Sequence, residues 1–263
     1  MSGSVSFDRA AEIYDRTRVT DPDALRETID VLEGELDRGG DGPMLEVGVG
    51  TGALALPLAA RGVPVVGVDL APAMLALLRA KPGGDRVAVA VADATRLPFD
   101  DGAFAGAYAR WVLHLIPAWR DVVDELCRVV RPGGVVLIEP GGYRRDRLEI
   151  WRMIDRELGR AVRHVGLDVH ERGFADLDAA FAVRGATARD LPPIDVRASE
   201  TLAGFLEQAR AKAFSWTWRV GDRDLARGLD AVEARARERY GDDLASVASE
   251  IEMLWRAYDL PPG

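Results

Sequence analysis

The sequence predicts an α/β protein built on a parallel sheet with helices on both faces. Three observations carry this. From Met44 to Glu139, short valine-rich apolar runs alternate with helical runs, the pattern of repeated β-α units. A glycine-rich turn, Gly48 to Gly52, joins the first of these strands to the first helix. The 263 residues, 48% hydrophobic and 29% charged, are enough to bury one large core without disulfide or metal staples.

The elements follow in order. Asp21-Pro22 marks a helix start with proline in the first turn, and Gly39-Gly40-Asp41-Gly42-Pro43 ends the polar N-terminal stretch. Met44 to Val47 reads as the first strand and Ala53 to Ala60 as a helix. Pro64 to Val68 and Pro72 to Ala80 form the second strand and helix. Arg86 to Val91 is the third strand, Ala103 to Ala109 a fourth strand of small residues, and Pro117 to Val130 a long helix. Val135 to Glu139 is the fifth strand, after an Arg131-Pro132-Gly133-Gly134 turn. The style then changes. Arg145 to Val165 reads as an amphipathic helix, and Ala186 to Val196 as a strand interrupted by Pro192-Pro193. Thr201 to Phe214 and Asp222 to Tyr240 read as helices, and the alternation of Ile251, Met253, Trp255 and Ala257 as a closing strand. No internal repeat or low-complexity linker divides the chain, so one domain over 1–263 is expected.

Composition excludes several classes. A balance of 34 basic against 43 acidic residues, a net charge of -9, argues against a nucleic-acid backbone as partner. No apolar run is long enough for a membrane span, and the N-terminus has no signal-peptide core, so a cytoplasmic location is the expectation. The single cysteine, Cys127, lies in an apolar helical pattern and reads as a core thiol. Only Lys81 and Lys212 are lysines, and the other 32 basic residues are arginines, a bias that reads as a signature of a GC-rich genome. No spacing of His, Cys and carboxylates suggests a metal site.

The chemistry is carried by Glu46-Val47-Gly48-Val49-Gly50-Thr51-Gly52, which follows a strand and opens a helix. Glycines let the backbone turn sharply and let a ligand approach the main chain. Such a turn alone is weak, since dinucleotide dehydrogenases use a related spacing. Asp69 ends the second strand seventeen residues later, where a carboxylate can accept both hydroxyls of a ribose. Asp93 ends the third strand, where it can receive an exocyclic amine while the Ala94 amide addresses a ring nitrogen. Glu46 can order the turn or reach an ammonium group. Each acid alone could equally be a helix cap, but the ordered set is hard to obtain by accident.

In these residues the sequence resembles the class I S-adenosylmethionine (SAM)-dependent methyltransferases, and within them the small-molecule type 11 branch related to the quinone-biosynthesis methyltransferases. The match runs from Met44 to about Gly141 through LEVGVGTG, VVGVDLAPAML, VAVADATRLPFDDGAFAGAYA, VLHLI and RVVRPGGVVLIEP. The branch commonly has cysteine where this chain has Val49. The resemblance implies a Rossmann-like, doubly wound sheet of seven strands with the last antiparallel. It also implies an N-terminal helical lid (1–40), a SAM-binding core (44–141) and acceptor-side helices and closing strands (142–263), with a helical insertion before the last strand.

The same resemblance implies the site. Gly48, Gly50 and Gly52 would pass under the methionine and ribose, and Asp69 would hold the ribose with Leu70 and Met74 flanking the adenine. Asp93 and Ala94 would read the adenine edge, and Arg110 would lie near the methionine end. Tyr14 and Arg18 are candidate lid contacts, with simple helix packing the other reading of Tyr14. His114, just past the fourth strand, is either a general base or a loop-fixing residue; histidine's titration near neutrality suits the first task. Trp111, Phe214, Trp216 and Trp218 are candidates for a flat apolar acceptor's pocket, or for docking a helix on the sheet. Arg152, Arg156, Arg160 and Arg163 fall on nearly one helical face, either solvated or facing an anionic group, and His164 and His170 read as surface residues.

The expected cofactor is SAM, with S-adenosylhomocysteine (SAH) as product. The expected partner is a small-molecule acceptor with an O, N or C nucleophile. Two other readings stand beside this one: a SAM-binding sensor or assembly protein without catalysis, and a nucleotide-cofactor dehydrogenase. The last requires a second mononucleotide-binding half, which is not found after Glu139. Acceptor, pathway and oligomeric state, monomer or homodimer, are left open.

Overall fold

The computed structural model describes residues 4, 6–8, 15, 21–38, 40–140, 153, 154, 156–159, 167 and 174–263. Helix α1 (Pro22–Arg38) opens this region. It is followed by β1 (Met44–Val47), α2 (Ala55–Ala60), β2 (Val65–Asp69), α3 (Pro72–Ala80) and β3 (Ala88–Val91). Next come β4 (Phe104–Arg110), α4 (Trp119–Val129), β5 (Val130–Glu139), α5 (Ala175–Ala182) and β6 (Thr187–Asp190). The chain closes with β7 (Ile194–Thr201), α6 (Leu202–Arg210), α7 (Asp222–Tyr240), β8 (Ala248–Met253) and β9 (Arg256–Asp259).

Seven strands form one sheet in the order β3-β2-β1-β4-β5-β9-β6. The first five are parallel, and β9 runs antiparallel to both of its neighbours. A dinucleotide-binding fold would place a parallel strand where β9 lies, so the described residues do not form a second mononucleotide half. All four residues of β1 are buried, as expected of a central strand covered on both faces. Along β5, Val136 and Ile138 face one hydrophobic cluster and Val135 and Leu137 the other, the period-two signature of a sheet filled from both sides.

Helices cover the two faces by their apolar stripes. In α4, Trp119, Val122, Val123, Leu126 and Val129 are buried, and in α1, Ala24, Thr28, Ile29, Leu32 and Leu36. Buried Thr28 returns its hydroxyl to the Ala24 carbonyl at 2.7 Å, so no donor is stranded in the core. The small residues of β4 have a packing reason. A Cβ on Gly106 would stand 3.1 Å from Leu36 and 3.0 Å from the Val135 carbonyl, so α1 settles onto the sheet at that point.

Three predicted elements differ in detail. The fifth strand begins at Val130 rather than Val135, because Gly133 and Gly134 keep backbone bonds to Pro261 and Leu260 through the turn-like sequence. The segment Ala186 to Val196 is two strands in two sheets. Pro192 and Pro193 lack amide donors and end the main ladder, and β7 then leaves to pair with β8. The closing alternation is likewise split: β8 pairs with β7, and β9 inserts between β5 and β6. Buried Trp255 sits at this break, and its carbonyl accepts the Leu191 amide at 3.2 Å.

The β7–β8 pair frames α6 and α7, which share a third hydrophobic cluster including Leu202, Phe205, Leu206, Trp216, Leu225, Leu229 and Val232. Helix α6 begins at Thr201, whose hydroxyl accepts the Gly204 amide at 3.1 Å. Among the described residues no helix is long and apolar enough to cross a membrane.

Candidate active site

The ends of β1 to β5 deliver Glu46, Asp69, Asp93, Arg110 and Glu139 to one edge of the sheet, the carboxyl edge where open α/β folds bind ligands. The turn after β1 is held by its neighbour: the amides of Gly48 and Val49 both donate to the Val68 carbonyl. Gly48 and Gly52 have φ of +74° and +84°, which L side chains rarely adopt. A Cβ on Gly48 would also meet Val112 at 2.8 Å, and one on Gly52 would meet Leu78 at 2.9 Å. The turn thus lies flat between the β4 exit and α3. Val49 turns its side chain inward onto Gly67, where a Cβ would leave it no room.

Asp69 braces this turn. Its Oδ2 accepts the Gly50 amide at 2.9 Å, and its Oδ1 accepts the Ala71 amide at 2.9 Å at the start of α3. Burial raises its carboxyl above the usual range against these amide bonds. Each carboxylate oxygen has a second acceptor position, so the brace and a ligand hydroxyl are compatible. Asp93 is similarly fixed, its Oδ1 accepting both the amide (3.0 Å) and the hydroxyl (2.8 Å) of Thr95. Ala94 is buried next to it. Met74 lies under the Gly50 position, 3.4 Å from a Cβ built there. Leu70 and Val91, by contrast, expose apolar side chains at 37% and 56%. Val91 pairs with Asp69 in the β2–β3 register, so these two chains stand at adjacent strand ends.

Beneath the turn lies a buried acid. Glu46 is 4% exposed and accepts the hydroxyl of Tyr108, its register partner on β4, at 3.0 Å. Loss of water pushes its carboxyl up to about 8; the Tyr108 bond and the Arg110 charge oppose the shift, and Asp69 adds to it. Burial and the Glu46 charge hold the Tyr108 hydroxyl protonated. Arg110 lies 3.8 Å from buried Glu139, and its guanidinium covers the Trp111 ring at 4.1 Å. Trp111 takes a φ of +55°, an uncommon backbone for a bulky residue, with its amide on the Glu139 carbonyl at 2.9 Å. His114 follows in the 3₁₀ turn Leu113–Leu115, half-buried.

The aromatic candidates divide. Trp216 is buried in the third cluster, and Phe214 packs against that cluster. Trp218 is partly exposed; its indole donates to the Lys212 carbonyl at 2.7 Å and its ring meets Phe7 edge-on at 4.9 Å. Phe7 in turn packs on Ala71 and Met74 beside the turn. Tyr14, Arg18, Arg152, Arg160, Arg163, His164 and His170 lie outside the described residues. Among the described residues no group of His, Cys, Asp and Glu has the clustering of a metal site.

The sequence alone gave no role to three residues beside the turn and the strand ends: Val91, Asp15 and Lys81. Asp15 accepts the Thr51 hydroxyl at 2.5 Å and pairs with Lys81 at 2.7 Å, while Lys81 also donates to the Thr51 carbonyl at 2.9 Å. The one sequence signal for Lys81 was its rarity.

This edge is the region that known proteins share. Residues 45–138 match the family described as "Methyltransferase domain". Residues 45–138 carry a class I methyltransferase domain of the type 11 branch. Over 96 residues it is 41% identical to a demethylmenaquinone methyltransferase of Clavibacter sepedonicus, covering 36% of this chain and 39% of that protein. Over 118 residues it is 32% identical to a sterol 4-C-methyltransferase of Caenorhabditis elegans, covering 42% and 35%. A longer match, 33% identical over 169 residues, is to an uncharacterized methyltransferase of Mycobacterium tuberculosis, covering 64% of this chain and 63% of that one. The alignments thus span less than half the length of the first two relatives. Among solved structures, the YcgJ protein of Bacillus subtilis superposes with a TM-score of 0.60 at 18% identity, covering 92% of this chain and 100% of that one. The [4+2]-cyclase SpnF superposes at 0.58 with 22% identity, covering 94% and 85%. These two likenesses extend the fold beyond the methyltransferase domain to most of the chain.

Proposed function

We propose that the chain is a SAM-dependent methyltransferase acting on a small, apolar or partly aromatic acceptor. The observation that carries this is the glycine turn pinned by Asp69 above a buried carboxyl, Glu46, that a cation would stabilise. The donor's ammonium and sulfonium supply positive charge, so the residues fit it. When bound, SAM supplies an electrophilic methyl on a sulfonium, and the protein's task is to position and to exclude water.

In this reading Asp69 accepts ribose hydroxyls at the lone pairs its amide bonds leave available. Leu70, Val91 and Met74 bracket the adenine, which gives the exposure of the first two a purpose. Asp93 and the Ala94 amide read the ring edge. Glu46, held by Tyr108, faces the ammonium, with Arg110 near the carboxylate. Tyr14 and Arg18 close over the pocket from the lid, residues 1–40. Residues 44–141 hold the donor and 142–263 shape the acceptor side. His114 acts as the base where the acceptor must lose a proton, beside Trp111 at the β4 exit. Phe214, Trp216 and Trp218 set the apolar character of that side, with Trp218 reaching the donor pocket through Phe7.

The acceptor is proposed only as a class. Two of the relatives named above are a demethylmenaquinone methyltransferase and a sterol methyltransferase, with two different apolar acceptors, and in this reading the segment they share with the chain is its donor half. SpnF, a cyclase on the same fold, is the reason to separate binding from transfer in the test. Titration calorimetry with SAM and SAH, followed by incubation with labelled SAM and a panel of phenols, quinols and sterols, is decisive. Binding of both ligands with labelled product is the expected result. Binding without product favours the sensor reading, and no binding at millimolar ligand overturns the proposal. Asp69→Ala should abolish binding, and unchanged affinity would refute the ribose assignment.

A further inference from the structure

The geometry points to Lys81, together with Asp15, as a positioning pair that sets the glycine turn through Thr51. The inference rests on the donor-site reading above and adds to it residues outside the glycine turn and the acidic strand ends.

Helix α3 backs the turn along one face. Gly50 stands over Met74 and Gly52 over Leu78, one helical turn apart. Lys81 continues this row at the helix C-cap, one further turn on, and its Nζ reaches the Thr51 carbonyl at 2.9 Å. The row therefore holds the turn by apolar contact at two points and by a charged hydrogen bond at the third. Thr51 is 1% exposed, so its position is transmitted to the flanking glycines rather than absorbed by solvent.

Asp15 closes the arrangement. It accepts the Thr51 hydroxyl at 2.5 Å and pairs with the same Nζ at 2.7 Å, giving a three-membered ring of contacts. The bonds to Lys81 and Thr51 outweigh partial burial and hold its carboxyl below the usual range. Asp8 makes a second tie seven residues earlier, accepting the Ala73 amide at 3.1 Å in the first turn of α3. Asp8 and Asp15 thus contact the helix that supports the turn near its two ends.

The residue type fits the task. In a chain with 32 arginines and two lysines, the position that must reach a carbonyl and a carboxylate from one atom holds a lysine. An ammonium is a compact three-donor point charge, whereas a guanidinium presents a planar fork. Lys81 and Asp15 are 31% and 51% exposed, so the pair is weak by itself and open to exchange. A contact of that strength positions a loop and still allows a donor to enter and leave.

The test uses the full chain and two readouts. Amide hydrogen exchange of residues 48–52 in the ligand-free protein should quicken about twofold to fivefold in Lys81→Met and in Asp15→Asn, the range expected for a pair of this exposure. Calorimetry should show SAH binding weakened by a similar factor, with the Lys81→Met/Asp15→Asn double variant losing less than the sum of the two single losses. Lys81→Arg should recover only part of the loss. Exchange that is unchanged in both single variants, or losses that simply add, would overturn the pair. If Lys81→Met does not fold, Asp15→Asn and Thr51→Val carry the same comparison. The exchange arm needs no ligand, so a wild-type protein that binds no SAM would refute the donor-site reading while this result still stands or falls by itself.

Discussion

At the scale of single residues, the site is organised by where carboxylates lose water. Glu46 is buried under the turn and pushed up to about 8, whereas its ordinary value is 4.5. The folded, ligand-free protein therefore holds a proton there that the unfolded chain releases. The contribution of this group to stability is complete below about pH 4.5 and is lost as pH rises toward about 8. Glu46→Gln removes the titration. Calorimetric melting at pH 5 and pH 8 should show the wild type losing stability across this interval and the variant losing less. On the donor-site reading proposed above, the same variant should bind SAM more weakly at pH 8, because the ammonium loses its counter-charge. If both proteins show the same pH dependence, the raised carboxyl is refuted. Cys127 is a contrast: burial pushes its thiol up to about 11, so it behaves as core packing. Alkylation by iodoacetamide at neutral pH should be far slower than for a free thiol.

At the scale of elements, the glycines and small residues of the core strands decide how closely helices approach. Gly106 lets Leu36 of α1 rest on β4, and Gly67 admits Val49 under the turn. Gly106→Val forces the new side chain against a backbone carbonyl as well as Leu36, and overpacking of this kind costs about 1–3 kcal/mol. Denaturant unfolding should register that loss. Gly221, with open space around it and a φ of -63°, offers the control for added bulk. Helix α3 serves two ends: its start is capped by Asp69 and Asp8, and its face supports the glycine turn. The element that supports the turn is therefore also part of the core.

At the scale of the molecule, the far edge of the sheet is tied to the first helix by charge. Arg189 on β6 meets Asp259 on β9 at 2.6 Å and Glu35 on α1 at 2.5 Å. Arg256 pairs with Asp178 of α5 at 2.5 Å and with Asp190. Tyr258 stacks on Phe181 at 3.8 Å and donates to Asp178 at 2.8 Å. This network joins strands that are distant in sequence and fastens the antiparallel closure. The groups are partly exposed, so their value is modest. Arg189→Met should lower stability by about 1 kcal/mol, and the difference from wild type should shrink in high salt. A salt-independent loss would indicate packing rather than charge.

The sequence by itself determined the first five strands of this protein and the acids at their ends. Glu46, the three glycines, Asp69 and Asp93 lie at strand ends because apolar runs of fixed length set where each strand stops, and glycine and aspartate there are local signals. The strand and helix order from Met44 to Glu139 was legible for the same reason. Other features needed tertiary structure. The splitting of Ala186 to Val196 and of the final alternation depends on which ladder each half joins, and a run of alternating residues carries no address for its partner. The Asp15–Thr51–Lys81 ring brings together three residues from separate parts of the chain, and no local pattern marks their contact. The high value of Glu46 was equally invisible, because a carboxyl's affinity for its proton is set by how much water the fold leaves around it, and only the packed sheet decides that.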